Sequence, residues 1–227
     1  MTSYNNVYLV IPTYKEEKSI GKVLDDVFSS GFKNVVVADC ASPDKTRKIA
    51  EEKGAYVVRH AVKRGLGAGL RSGIQFAREE GAQYIITMDA DGQHLLKDVK
   101  KVADELKKEH ADVVIGSRLK DHKGMPWFRV FGNKVMNLCT WVLFGVRCSD
   151  TQSGLRGMNR NAAKKILIRT KGMEVSSEFI AEVKRKHLKL KEVPITAVYS
   201  EYSLQKGLKN TDAFKILFKL FLRKFIK

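Results

Sequence analysis

The stretch Tyr84-Ile-Ile-Thr-Met-Asp-Ala-Asp-Gly-Gln-His94 constrains this chain most. Its apolar, β-branched run from Tyr84 to Met88 predicts a strand buried on both faces, which belongs in a parallel sheet covered by helices. The run leads straight into Asp89 and Asp91 and closes at Gly92. Open α/β sheets bind ligands at the carboxyl ends of their strands. Two acids at that position fit a divalent cation shared with a substrate's phosphates, because hard cations take one or two carboxylates and complete their shell with phosphate oxygens and water. Asp and Gly are also ordinary turn residues. Asp-x-Asp alone reads as readily as a polar turn; its place after a hydrophobic strand favours the cation.

The rest of the first half repeats the strand–helix alternation of a parallel α/β sheet. Val7–Ile11, Asn34–Ala38, Ala55–Val58 and Asp112–Ile115 are the other predicted strands. A helix with Ile20, Val23, Leu24, Val27 and Phe28 at helical spacing follows the first. Ser42-Pro43 is read as the N-cap and first-turn proline of the second helix. A basic, glycine-rich loop from Arg59 to Gly69 opens a helix that reaches about Glu80, and Leu96, Val99, Val102 and Leu106 mark another. Beyond Arg118 the regularity fades. Asp121–Pro126 reads as a loop, Trp127–Val146 as an apolar helix, and Arg147–Arg156 as a polar loop. A further helix is expected from about Glu174 to His187, and an extended piece from Lys191 to Ala197.

Lys and Arg number 42 against 25 Asp and Glu, a net charge of +17. That implies an anionic partner: nucleic acid, an anionic membrane surface or a phosphorylated substrate. The three cysteines lack metal-ligand spacing and are read as buried small hydrophobes in a reducing cytosol. His60, His110, His122 and His187 read as surface or loop residues, and His94 as a neighbour of a metal site that aspartates suffice to build. No apolar run reaches the roughly 20 residues that span a bilayer, and the first residues do not read as a signal peptide.

Predicted strand ends gather Pro12-Thr-Tyr-Lys-Glu16, Asp39, Lys63-Arg64-Gly65, Asp89/Asp91 and Arg118. A nucleotide diphosphate requires these kinds of group: carboxylates for a metal, cations for phosphate, glycine backbone for close approach, and an acid or amide edge for the base. Gly65-x-Gly67-x-Gly69 lies in the third βα unit and is not the dinucleotide fingerprint, which excludes a nicotinamide enzyme.

In this order the motifs resemble the family 2 glycosyltransferases with the GT-A fold, and in particular the polyprenyl-phosphate sugar synthases. The residues that carry the resemblance are Ile11–Glu16, Asp39 with Ser42-Pro-Asp44 and Thr46, Gly65-Leu-Gly67, Asp89–His94, Gly116-Ser-Arg118, Arg129, Asp150–Gly154 with Arg156, and Glu192-Val-Pro194. The resemblance implies a Rossmann-like, mainly parallel sheet flanked by helices. It implies that Pro12, Tyr14, Glu16, Asp39, Ala90, Gln93 and Lys206 bind a nucleotide-sugar donor, and that Asp89, Asp91 and Gln93 hold Mg²⁺ or Mn²⁺. Arg118, Arg129, Ser153 and Arg156 would face an acceptor phosphate. The catalytic residues would be Asp89, Asp91 and Arg118. Two positions depart from the family pattern: Asp39-Cys40 replaces paired acids, and the loop from Tyr199 to Lys206 lacks the arginine of mannose synthases.

Residues 1–211 are therefore expected to form the catalytic domain, with a basic amphipathic helix at 212–227. There Phe214, Leu217, Phe218, Phe221 and Phe225 share one face, and Lys215, Lys219, Arg223 and Lys227 another. At about 22 Å it is too short to cross a bilayer and suits an anionic interface; packing on the domain is the equal alternative. The expected activity is metal-dependent transfer of a sugar from GDP-mannose, UDP-glucose or UDP-N-acetylglucosamine to a polyprenyl or dolichyl phosphate, at the cytoplasmic face of a membrane. A family 2 transferase with a soluble acceptor is one alternative. A basic nucleic-acid-binding protein is the other, although no helix-turn-helix, zinc or RNA-recognition signature accompanies the charge.

Overall fold

The computed structural model describes residues 4–121, 125–196 and 198. Its centre is a seven-stranded sheet in the order β3-β2-β1-β4-β6-β5-β7. The strands are β1 (Val7–Thr13), β2 (Asn34–Asp39), β3 (Tyr56–Arg59), β4 (Tyr84–Thr87), β5 (Val113–Ser117), β6 (Arg156–Asn159) and β7 (Leu190–Pro194). All neighbours pair in parallel except β6, which runs antiparallel between β4 and β5.

Alternation along the strands sorts side chains to two helical layers. Val7, Leu9 and Ile11 of β1 pack with α1 (Ile20–Ser29) and α4 (Leu96–Lys107) on one face, where α2 (Thr46–Glu52) also lies. Tyr8 and Val10 point the other way, toward α3 (Leu66–Glu79), α6 (Arg160–Lys165) and α7 (Val175–Arg185). Such period-two sorting is what a strand buried on both faces requires. The eighteen-residue helix α5 (Trp127–Phe144) touches this body through few residues; only Met136 and Thr140 of it are buried. The core thus accounts for the sheet and six helices, and leaves α5 largely to solvent.

Chain order runs outward from β1 to β2 and β3, then returns to place β4 on the other side of β1. That reversal is a topological switch point, where such sheets open a crevice at their carboxyl edge. β1 outruns β4 there, since the pairing ends with Val10 opposite Thr87. Pro12 sits in that overhang. The carbonyl of Val10 accepts from Met88 and that of Thr13 from Cys40, so position 12 faces the β4 side beyond the end of β4. A residue without an N–H loses nothing there.

Several sequence expectations need correction. The stretch Arg147–Arg156 is not all loop: it ends in β6, whose register sets Thr87 opposite Arg156. The extended piece near Pro194 is borne out as a strand, Leu190–Pro194, in register with β5 from Val113↔Leu190 to Ser117↔Pro194. Ser42-Pro43 does not cap α2, which starts at Thr46. The Asp44 carboxylate caps that turn instead, accepting from the Thr46 backbone N–H at 3.1 Å and from its hydroxyl at 2.6 Å. His60 is a buried residue, 8% exposed, bonded through Nε2 to Ser72 Oγ at 2.9 Å. Cys40 and Cys148 are buried as expected, whereas Cys139 is half-exposed. Lys206 and the 212–227 helix lie outside the described residues.

Candidate active site

β4 delivers the two aspartates. Thr87 ends the strand, and its hydroxyl donates to the Gly154 carbonyl at 3.0 Å, tying the strand end to the loop before β6. The chain then turns at Gly92, whose φ of 76° lies in the left-handed region that glycine enters without a Cβ penalty. The Asp91 carboxylate closes the turn by accepting from the Gln93 N–H at 3.0 Å. Asp89 Oδ2 lies 3.2 Å from His94 Nε2, on an imidazole only 5% exposed. Ala90 between them is buried.

The two carboxyls titrate apart. Burial alone would raise Asp89, but the His94 hydrogen bond and the positive charges of His94, Arg156 and Arg118 reverse it, holding the group below its ordinary value. Asp91 is raised, first by burial and then by the negative charge of Asp89, with Glu16 adding to the repulsion. Two acids that oppose each other's ionisation, one of them braced by cations, form a site that a bound cation relieves. Among the described residues no group of three His, Cys, Asp or Glu side chains assembles as a complete metal shell. The pair therefore fits a cation that draws its remaining ligands from a diphosphate and water. It does not fit a closed structural metal.

Around the carboxyl ends of β1 and β2 stand the residues expected to bind the donor. Pro12 is buried and Tyr14 half-buried, with Lys63 Nζ 3.8 Å from the Tyr14 ring centroid. Glu16 accepts from Ser19 Oγ at 2.9 Å, and its N–H donates to Thr46 Oγ1 at 2.8 Å. Asp39, 2% exposed, accepts from the Ser42 N–H at 3.1 Å and from Thr13 Oγ1 at 3.4 Å. Past these strand ends opens a cavity of about 330 Å³, lined among others by Asp39, Pro43, Arg47, Arg59 and His60. A groove of about 340 Å³ between α3 and α6 holds none of the expected site residues.

The glycines of the basic loop pack closely against the chain. A Cβ on Gly67 would lie 2.2 Å from the Thr170 carbonyl oxygen, and one on Gly65 2.3 Å from that of Lys171. They let the start of α3 close onto the loop before α7, where the Gly67 N–H donates to Lys171 O at 3.0 Å. Their close approach is to the chain itself. That loop is in turn gathered by Glu178, which accepts from the backbone of Arg169 and Thr170.

On the other side of the aspartates, the residues expected at an acceptor phosphate are not alike. Arg118 forks onto Asp150, with Nε to Oδ2 and Nη2 to Oδ1 both at 2.8 Å, and its backbone N–H also donates to Oδ2 at 3.0 Å. Asp150 is fully buried. Arg129 lies in the first turn of α5 and is half-buried. Ser153 is fully buried and accepts from the Leu155 N–H. Arg156 is 3% exposed; its guanidinium donates to Ser153 O at 2.7 Å and Ser176 Oγ at 2.8 Å, over the Phe179 ring. Burial lowers Arg156 to about 10, which leaves it charged. The structure buries Ser153 and Arg156, with the Arg156 and Arg118 charges both acting on Asp89, and sets Arg129 on α5.

Asn137, which sequence reading missed, and Glu192, known there only as part of the Glu192-Val-Pro194 motif, complete this side. Asn137 of α5 donates to Ser149 O at 2.6 Å and accepts from the Thr151 N–H and hydroxyl at 2.9 and 2.8 Å. Glu192 of β7 accepts from the Ser149 N–H at 2.6 Å and its hydroxyl at 2.7 Å. Local pattern holds no trace of either clamp, because the partners are 12 to 43 positions apart.

Comparison with known proteins agrees with this arrangement. Residues 8–167 match the family described as Glycosyl transferase family 2. An uncharacterized protein of Methanocaldococcus jannaschii is 45% identical over 225 residues, covering 97% of this chain and 93% of that one. The UDP-N-acetylglucosamine–dolichyl-phosphate N-acetylglucosaminyltransferase of Methanococcus voltae is 32% identical over 96% of each chain. In fold, the chain is similar to glucosyl-3-phosphoglycerate synthase from Mycobacterium tuberculosis, with a TM-score of 0.71 at 18% identity over 96% of this chain and 79% of that one; that structure holds Mn²⁺ and UDP. With a mostly parallel GT-A sheet, paired aspartates at its switch point and relatives that transfer sugars to lipid phosphates, this chain belongs to glycosyl transferase family 2 and is a glycosyltransferase.

Proposed function

We propose that the protein transfers a sugar from a nucleotide sugar to a polyprenyl monophosphate at a membrane surface, with a divalent cation. The observation that carries this reading is the juxtaposition of Asp89/Asp91 with the Asp150–Arg118 pair, beside a helix whose outer face is aromatic. Trp127 is 80% exposed and Phe131 65%, and Trp141 and Val142 continue that face. No helix among the described residues is long and apolar enough to cross a membrane, so α5 suits lying on one. Full-length similarity to the Methanococcus voltae dolichyl-phosphate enzyme supports the acceptor and places UDP-N-acetylglucosamine first among donors to test. Polyprenol monophosphomannose synthase of Mycolicibacterium smegmatis, 28% identical, keeps a mannose donor in the test.

The chemistry follows from charge. A phosphate monoester has a second pKa near 6, so at neutral pH it is mostly a dianion and already nucleophilic. Its oxygen attacks the anomeric carbon while the bond from that carbon to the nucleotide diphosphate breaks, which inverts the configuration. No side chain has to remove a proton. Asp89, Asp91 and Gln93 would hold a divalent cation, which would supply Lewis-acid stabilisation of the departing diphosphate. Asp39 and Tyr14 hold the nucleoside end, and Arg118 and Arg129 offset the repulsion of two anions brought together.

The test is transfer from each of UDP-N-acetylglucosamine, UDP-glucose and GDP-mannose to a short polyprenyl phosphate, with Mn²⁺, Mg²⁺ or chelator. The expected result is one productive donor, with activity abolished by chelation. Transfer to 3-phosphoglycerate instead would replace the lipid acceptor with a soluble one, as the fold similarity alone would allow. No turnover with any combination would overturn the reading.

A further inference from the structure

We propose that Asn137 is the positioning residue of the acceptor side, and that through it α5 is built into the site. This rests on the reading above for its activity test but not for its geometry. Asn137 brackets a three-residue segment: its amide nitrogen holds the Ser149 carbonyl, and its amide oxygen holds both the N–H and the hydroxyl of Thr151. Between those two points stands Asp150, whose carboxylate is the anchor of the Arg118 guanidinium. One side chain of α5 thereby fixes the backbone on both sides of the acid that orients Arg118.

The bracket uses three of the four hydrogen-bonding positions of an amide. A planar side chain with donors on one atom and two lone pairs on the other is what this segment demands, a carbonyl at one end and two donors at the other. Leucine would fill the same volume and satisfy none of it. Arg129 stands two turns before the buried Met136, so it shares the inward side of the same helix, roughly 10 Å along the axis. A shift of α5 would move Arg129 directly and Arg118 through Asn137 and Asp150. From β7, Glu192 grips Ser149 independently, so losing Asn137 loosens the segment at Thr151 without releasing it from the domain.

The test compares wild type, Asn137→Leu and Asn137→Asp in the full chain. Asn137 is half-exposed, so both variants are expected to fold. By amide hydrogen exchange, Asn137→Leu should lose protection at Thr151 about tenfold, with β1 and β4 unchanged. Asn137→Asp keeps the acceptor oxygen and should retain it. In transfer assays, Asn137→Leu should raise the acceptor KM about tenfold, the worth of one well-made hydrogen bond to a site segment. Donor KM should stay within about twofold. Unchanged protection and unchanged acceptor KM would overturn the proposal, as would an equal rise in donor KM. A wild-type enzyme inactive on polyprenyl phosphate would defeat the proposed reaction, and the exchange measurement would still decide the role of Asn137.

Discussion

Gly154 lies flat against the Asp89 carboxylate: a Cβ at position 154 would stand 2.2 Å from Oδ2 and 2.7 Å from Oδ1. The backbone there has no positive φ among the described residues, so the requirement for glycine is one of space alone. Its carbonyl is also the acceptor for Thr87, which keeps the loop from backing away. Gly154→Ala is therefore expected to push Asp89 out of place while leaving the fold intact. Displacement of a reacting group by about 1 Å can cost on the order of a hundredfold in rate. Steady-state kinetics and a thermal melt of the alanine variant check this. Wild-type turnover would show that Asp89 tolerates the shift and is not a catalytic ligand.

Asp91 gives a pH prediction of defined sign. Its folded-state pKa is raised by burial and by Asp89, so ionising it costs more in the folded protein than in the unfolded one. Stability is lost as pH rises from the unfolded value through the folded one. Asp91→Asn removes that cost and should raise Tm by a few degrees at pH 7, with the difference vanishing below about pH 3.5, where both forms are neutral. The same variant should lose any Mn²⁺-dependent rise in Tm. Melts across pH with and without Mn²⁺ check both; a destabilised Asp91→Asn at pH 7 would contradict the strain assigned to the pair.

What could be read from the chain and what could not divides along sequence distance. The Tyr84–Asp91 motif announced itself because a strand end and its acids are contiguous, and β1, β2 and β5 followed from their valines and isoleucines. β6 did not: Arg156-Gly-Met-Asn159 has a single large apolar residue, and its partners are set by a crossover that places it between β4 and β5. The burial of Arg156 is not legible, since the bonds that bury it come from Ser153 and from Ser176, twenty positions on. The packing of the basic-loop glycines on residues 170–171 has no local signature. His60 reads as a surface or loop residue; it does lie in the loop after β3, but its burial against Ser72 of the next helix has no local signature.

Asp150 and Arg118 form a pair costly to break. Asp150 is fully buried and its partner mostly so, with a forked geometry. Removing one member of a buried pair leaves an uncompensated charge and costs about 3–5 kcal/mol. Asp150→Ala should thus lower Tm by roughly 6–20 °C and weaken the acceptor more than the donor. Arg118→Ala should be comparably unstable, because it strands the carboxylate. Thermal melts and donor titrations separate the two effects; a stable Asp150→Ala with ordinary acceptor KM would remove this pair from the site.

On the proposed reading, the outer face of α5 is where the protein would meet lipid. Trp127, Phe128 and Phe131 are 80%, 51% and 65% exposed, and burying a large apolar side chain is worth about 1.5–3 kcal/mol. Folding leaves most of that gain unmade, and a membrane interface would supply it. Arg147 over the Trp141 ring at 5.3 Å adds a cation at the same face. Trp127→Ser with Phe131→Ser should cut partitioning onto anionic vesicles by at least about tenfold per ring and leave Tm and donor binding unchanged. Truncation after Thr211 in parallel measures the share of the C-terminal segment. If the doubly substituted protein partitions like wild type while the truncated one does not, the tail alone holds the membrane and α5 serves the acceptor only through its inward face. If both lose binding, helix and tail act as two contacts on one surface, with the acceptor phosphate presented between Arg118 and Arg129.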